Sequence, residues 1–124
     1  MKKSVTLHVK DREYTLEFTV KSLAQLERSL GGRSLTFMLE LVNTNPIYAS
    51  NFNIDFVKNA LECGIKEKDK GFDGYDFIDA YCEKGDLSDL TAKVMEALLI
   101  TGLFTKGTPA SVQKHLAQIK KVIR

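Results

Sequence analysis

The chain has 124 residues, 44% of them hydrophobic and 27% charged, with a formal charge of +2. That length suits one domain with a core of its own, and the composition is that of an ordinary globular protein rather than a disordered one. A balance so near neutral argues against a surface given over wholly to nucleic acid, and no apolar run approaches the ~20 residues of a membrane span. Lys2-Lys3 leads into an alternating strand instead of an apolar run. A signal peptide is therefore not expected, and the expected location is the cytoplasm.

The first third carries the clearest pattern. Val5, Leu7 and Val9 alternate with Ser4, Thr6 and His8; Tyr14, Leu16, Phe18 and Val20 alternate with Glu13, Thr15, Glu17 and Thr19. Strand side chains point to opposite faces in turn, so each run has one apolar and one polar face. A reversal at Asp11-Arg12 pairs Val9 with Tyr14, Leu7 with Leu16, Val5 with Phe18, and sets Lys10 opposite Glu13. A lone hairpin is marginal in water and needs a lid. Ser22 to Gly32 reads as that lid. Ser22 is the expected cap, with Gln25 completing a capping box; Leu23, Leu26 and Leu30 form one stripe, and Gly31 or Gly32 ends the helix.

Five further helices follow in the sequence pattern. Ser34 caps a short one carrying Leu35, Met38, Leu39 and Val42. Residues 43–50, with Pro46, form a loop. A third helix spans Asn53 to Cys63, with Ile54, Val57 and Leu61 on one stripe and Phe56, Ala60 and Cys63 beside it. Lys66 to Gly74 reads as a solvated polar loop. Asp73 caps a fourth helix with Tyr75, Ile78 and Cys82 inward, Tyr81 alongside and Gly85 at its close. Asp86 or Ser88 starts a fifth, running from Leu87 through Leu103 and Phe104. It is apolar nearly all round in its second half, the mark of a helix buried on most sides. Thr108-Pro109 opens a sixth, with Val112, Leu116, Ile119 and Ile123 at helical spacing. The expected fold is α+β, mostly α: a hairpin over residues 4–20 packed on a helical part over 22–124, in one domain.

Few residues suggest chemistry. Asp73, Asp76, Asp79, Glu83, Asp86 and Asp89 are spaced by three and four, which belongs to a helix face and not to a calcium loop with ligands on alternate residues. His8 and His115 have no partner at ligand spacing, and no strand-turn-helix elbow frames a serine. Cys63 and Cys82 lack C-x-x-C spacing and read as small apolar core residues. Gly31-Gly32 lacks the remaining glycines and the Lys of a phosphate loop. No catalytic residue, cofactor or metal is expected.

Thr105 to Arg124 holds five basic residues and no acidic one. Its helix reads either as core packing with lysines at its negative end or as an amphipathic face offered to another protein. A small regulator binding nucleic acid through this helix is the alternative function, weakened by the absence of an Arg-rich run and of interleaved aromatics. The expected partner contacts are Val112, Leu116, Ile119, Lys120 and Ile123, then Ile47, Tyr48 and Phe52 in the loop after the second helix. Core packing is the competing reading for both sets. The acidic fourth helix and basic sixth also suggest self-association.

The order of these parts resembles the tail assembly chaperones of long-tailed bacteriophages. The resemblance rests on Tyr14-Thr15-Leu16-Glu17-Phe18 in the hairpin and on Leu23-x-x-Leu26-Glu27-x-x-Leu30-Gly31 after it. A third element is Tyr75-Asp76-Phe77-Ile78-Asp79-x-Tyr81-x-Glu83-x-Gly85-Asp86-Leu87. It covers roughly Val5 to Phe104. It implies a prophage-encoded, non-enzymatic protein of the bacterial host cytoplasm, at a length similar to the family's short product. Such a protein binds the tape-measure protein, keeps it soluble and helps recruit tail-tube subunits. Chaperoning of this kind is a holding action driven by binding equilibria.

Overall fold

The computed structural model describes residues 3–47 and 52–104. Strands β1 (Ser4–Val9) and β2 (Arg12–Glu17) form an antiparallel hairpin, followed by α1 (Val20–Ser29), α2 (Leu35–Thr44), α3 (Ile54–Gly64), α4 (Gly74–Tyr81) and α5 (Leu87–Leu99). The fold is α+β and mostly α. The sixth helix expected from Thr108 lies outside the described residues.

The hairpin turns one residue earlier than the alternation suggested. Lys10 and Asp11 make the reversal, so Val9 faces Arg12, Leu7 faces Tyr14 and Val5 faces Leu16. This register is two residues away from the expected one. Because strand side chains repeat every two residues, such a slip exchanges partners but keeps every side chain on its face. Val5, Leu7, Val9 and Leu16 are all buried. Lys10 takes a φ of 56°, a left-handed conformation that two-residue hairpin turns ask for and that no residue type here advertises. Phe18 lies beyond the end of β2 yet stays in the core.

The lid helix also starts earlier than expected. Thr19, not Ser22, is the cap: the Thr19 hydroxyl accepts from the Ser22 amide, and the Ser22 hydroxyl accepts from the Thr19 amide. Two hydroxyl residues three apart can fill either role, and this arrangement adds a turn before Leu23. At the other end the Gly32 amide donates to the Glu27 carbonyl at 2.8 Å and the Gly31 amide to Arg28 at 3.2 Å. This closure requires φ above zero, and both glycines supply it. Glu27 then reaches across the turn, accepting from the Leu35 amide at 2.8 Å, while Ser34 accepts from Phe37. The first turn of α2 is thus satisfied by α1 and by its own cap.

The apolar face of the hairpin lies over α3, α4 and α5, and α1 packs on α3. Along α5, Leu90, Val94, Met95, Ala97 and Leu98 are buried, which makes it the central helix, as its all-round apolar pattern implies. It ends at Leu99, however, and not at Phe104. Gly102 turns the chain with φ 73°, and Leu103 faces solvent. Gly64 at the end of α3 sits under the hairpin so closely that a Cβ there would meet Leu16 Cδ1 at 2.7 Å and Phe18 Cε1 at 2.8 Å.

Three other expectations need correction. Ile54 opens α3 on its solvent side, because Asn53 is the cap and the buried stripe runs through Phe56, Val57, Ala60 and Leu61. In α4 Phe77 turns inward beside Tyr81, and Tyr75 does not. Tyr14 meets the Phe77 ring edge-on at 5.0 Å, and that tertiary contact decides which aromatic turns in. The polar loop after α3 is anchored at its start rather than merely solvated. Ile65 bridges Leu16, the Lys66 amide donates to the Thr15 carbonyl at 2.9 Å, and the Glu67 carboxylate accepts from the Thr15 amide at 2.7 Å. That last bond holds the Glu67 carboxyl below its usual range.

Candidate functional site

Of the acidic cluster, Asp73, Asp86 and Asp89 do structural work. Asp73 caps α4, accepting from the Tyr75 amide at 2.8 Å, and Asp86 caps α5, accepting from the Asp89 amide at 2.7 Å. Asp89 in turn accepts from the Tyr81 hydroxyl, tying α4 to α5. Burial and this bond together push the Tyr81 phenol well above its ordinary value. Among the described residues, no group of three or more His, Cys, Asp and Glu is placed to hold a metal ion. No helix among them is long and apolar enough to cross a membrane.

The remaining reactive groups are the two histidines and the two cysteines. His8 Nδ1 lies 3.7 Å from the Glu13 carboxylate on the solvent face of the hairpin. His115 is outside the described residues. Cys63 and Cys82 are free thiols, each half-buried. Burial raises both thiols above their ordinary value, which lowers the thiolate fraction a nucleophile requires.

Among the described residues, the large hydrophobic side chains left exposed are Val20, Phe37, Ile47, Ile54, Tyr75 and Leu103. Val20 and Ile54 occupy the first positions of α1 and α3, just inside their caps, where a side chain has little to pack against. Tyr75 is exposed but engaged. Its hydroxyl donates to Asp55 at 2.7 Å, which raises its pKa, and the Lys58 ammonium sits 5.3 Å from its ring centre. Lys58 also pairs with Glu62 at 3.1 Å, and Glu62 accepts from the Gly74 amide at 2.9 Å. This cluster clamps α4 onto α3.

Phe37 is different. Leu35, Met38 and Val42 fill the inner stripe of α2, whereas Phe37 points the other way and is 62% exposed. Leu41, one turn along from Phe37, is half-buried beside it, and Ile47 just past the helix is 64% exposed. Thus α2 has a second apolar side, made by Phe37 and Leu41, on a helix whose first stripe is already buried. This pair was missed in the sequence pattern. The signal was present: an aromatic at a position that the inner stripe of Leu35, Met38 and Val42 leaves outside.

Of the expected partner contacts, Ile47 is exposed as that role requires. Phe52 is in the core at 3% exposure, its ring edge-on to Phe56 at 4.7 Å. Packing claims it, the competing reading for that loop. Tyr48 and the whole C-terminal set, Val112, Leu116, Ile119, Lys120 and Ile123, lie outside the described residues. No protein-family model, no curated protein and no solved structure matches the chain.

Proposed function

We propose that this chain is a non-enzymatic tail assembly chaperone of the long-tailed phage type. It binds the tape-measure protein in the bacterial cytoplasm and assists assembly of the tail tube around it. Two things support the reading: the order of parts that the resemblance rests on, and a surface suited to covering another helix. The observation that carries it is the outer side of α2, where Phe37 and Leu41 stand one turn apart with Ile47 beyond them.

The physical argument is one of matching faces. A long helical tape measure exposes apolar stripes before the tube encloses it, and such stripes aggregate unless covered. An amphipathic helix recognises another through anchors spaced by three or four residues, the spacing of Phe37 and Leu41. A short apolar pair gives a reversible contact, which suits a protein that must give way to tail-tube subunits. The holding action then follows mass action on the free partner.

The test is co-expression with the tape-measure protein of the same gene cluster, followed by affinity capture from the soluble fraction. Recovery of a soluble complex that depends on Phe37 supports the reading. A tape measure that stays insoluble and unbound removes it, and salt-dependent binding of the chain to DNA or RNA would replace it with the nucleic-acid alternative.

A further inference from the structure

The two edges of the hairpin are treated differently. Thr15 uses its backbone on the outer edge of β2: its carbonyl accepts from Lys66 and its amide donates to Glu67. Thr15 therefore points its backbone away from β1, so its partner Thr6 must point away from β2. Antiparallel ladders alternate, so the amides and carbonyls of Ser4, Thr6 and His8 all face outward along β1, while those of Val5, Leu7 and Val9 bond to β2. Among the described residues, nothing pairs with the outward backbone groups of Ser4, Thr6 or His8. Thr6 and His8 are exposed. Natural sheets guard such an edge with proline, a bulge or charge, and Ser4–Val9 contains neither a proline nor a lysine.

We infer that the edge of β1, unpaired among the described residues, is a dimer interface, on which β1 of a second copy pairs antiparallel about a twofold axis at Thr6. The sequence of the strand itself suits a second copy. With the axis at Thr6, Ser4 of one copy lies opposite His8 of the other, and Thr6 lies opposite Thr6. Every outward amide and carbonyl of the three residues then finds a partner. Moving the axis to Leu7 would set Ser4 opposite Lys10, which is in the turn with φ 56° and cannot extend the ladder.

The side chains of the outer face agree with this register. The outer face of the joined sheet carries a row of threonines from Thr15 and Thr6 of each copy, a favourable cross-strand combination. The flanking rows read Glu17, Ser4, His8, Glu13, so no like charges meet across the seam and each His8 keeps its own Glu13. On the inner face Val5, Leu7 and Val9 are already buried within their own copy, so the seam rests on the backbone bonds and the outer face. A single strand pair buries little area, so the association is weak and visible only at high concentration. A β1 edge left open among the described residues is a feature separate from the outer side of α2 that carries the chaperone reading.

Sedimentation equilibrium of the full chain over a wide concentration range tests it. The expected result is a monomer–dimer equilibrium that weakens roughly tenfold or more in Thr6→Pro. That substitution removes an outward amide but leaves the ladder to β2 intact. Should Thr6→Pro fail to fold, Thr6→Cys keeps the question open to measurement. Opposed residues of a hydrogen-bonded pair have Cα atoms about 5.5 Å apart, within disulfide range. Mild oxidation is expected to give a dimer linked through the two introduced thiols, while Thr36→Cys on exposed α2 gives none. Three results would overturn the proposal. They are a chain that stays monomeric with no more cross-linking in Thr6→Cys than in Thr36→Cys, a dimer indifferent to Thr6→Pro, and dimers that appear only when residues 105–124 are removed. The last would assign the edge to that segment.

Discussion

Helices α2 and α4 each carry a bulky aromatic on the solvent side, and the two are not equivalent. Tyr75 on α4 ends in a hydroxyl that Asp55 accepts, under a lysine that Glu62 holds in place. At the far end of the same helix, Tyr81 is bound to Asp89. Thus α4 is tied to α3 at its start and to α5 at its end, and its exposed aromatic belongs to the ties. Helix α2 is held at its first turn by Glu27 and inwardly by Leu35, Met38 and Val42, whereas Phe37 has no polar group with which to be tied. An exposed aromatic with a fixed polar partner is part of the scaffold. Phe37, without one, is open to solvent among the described residues.

The comparison can be broken most forcefully on the inner side of α2. Leu35→Ala should cost about 2–5 kcal/mol, because the site is fully buried and leaves a cavity, whereas Phe37→Ser should change stability by no more than about 0.5 kcal/mol. Chemical denaturation of the two variants measures the contrast. Equal losses would mean that Phe37 is packed and the outer side of α2 is not free.

On α4 the clamp depends on close approach. A Cβ at Gly74 would lie 2.7 Å from the Lys58 carbonyl, a backbone atom that cannot swing aside. Gly74→Ala should therefore cost about 1–3 kcal/mol by the same assay. Tyr81→Phe removes the tie to α5 and should cost about 1–2 kcal/mol near neutral pH. It also has a pH signature. The folded Tyr81 pKa is raised above the ordinary value of 10.0, so its contribution is complete below that value and is lost as pH rises beyond it. Wild type should lose more stability than Tyr81→Phe between neutral and strongly alkaline pH. Parallel pH curves would show that the hydroxyl does not hold the two helices together. The smallest effect is expected at the turn: Lys10→Gly relieves a left-handed side chain and should gain up to about 1 kcal/mol in thermal or denaturant unfolding.

Much of this architecture was legible in the chain because periodicity survives small errors. The hairpin register was misjudged by two residues, yet Val5, Leu7, Val9 and Leu16 fell on the right face, since a two-residue slip cannot move them off it. The Leu23 and Leu26 stripe likewise survived a wrong cap. Position within an amphipathic face was harder where two aromatics competed. Tyr75 and Phe77 differ by one polar group, and a ring on a distant strand, Tyr14, settled which turned inward. Ends were hardest. Nothing in Lys10 signals a positive φ, and Gly102 stops α5 before the apolar Leu103. Ile47, an expected partner contact, is exposed. Phe52 is drawn into the core by Phe56, and Phe37 lies outside the inward stripe that helical spacing picks out.

The most direct measurement compares wild type and Phe37→Ser, both shown to be folded by circular dichroism, in co-expression with the tape-measure protein. The account predicts a soluble, co-purifying complex with wild type and loss of most of it with Phe37→Ser. A tape measure kept equally soluble by the variant would contradict the assignment of the outer side of α2, and one left insoluble by wild type would contradict the chaperone function itself.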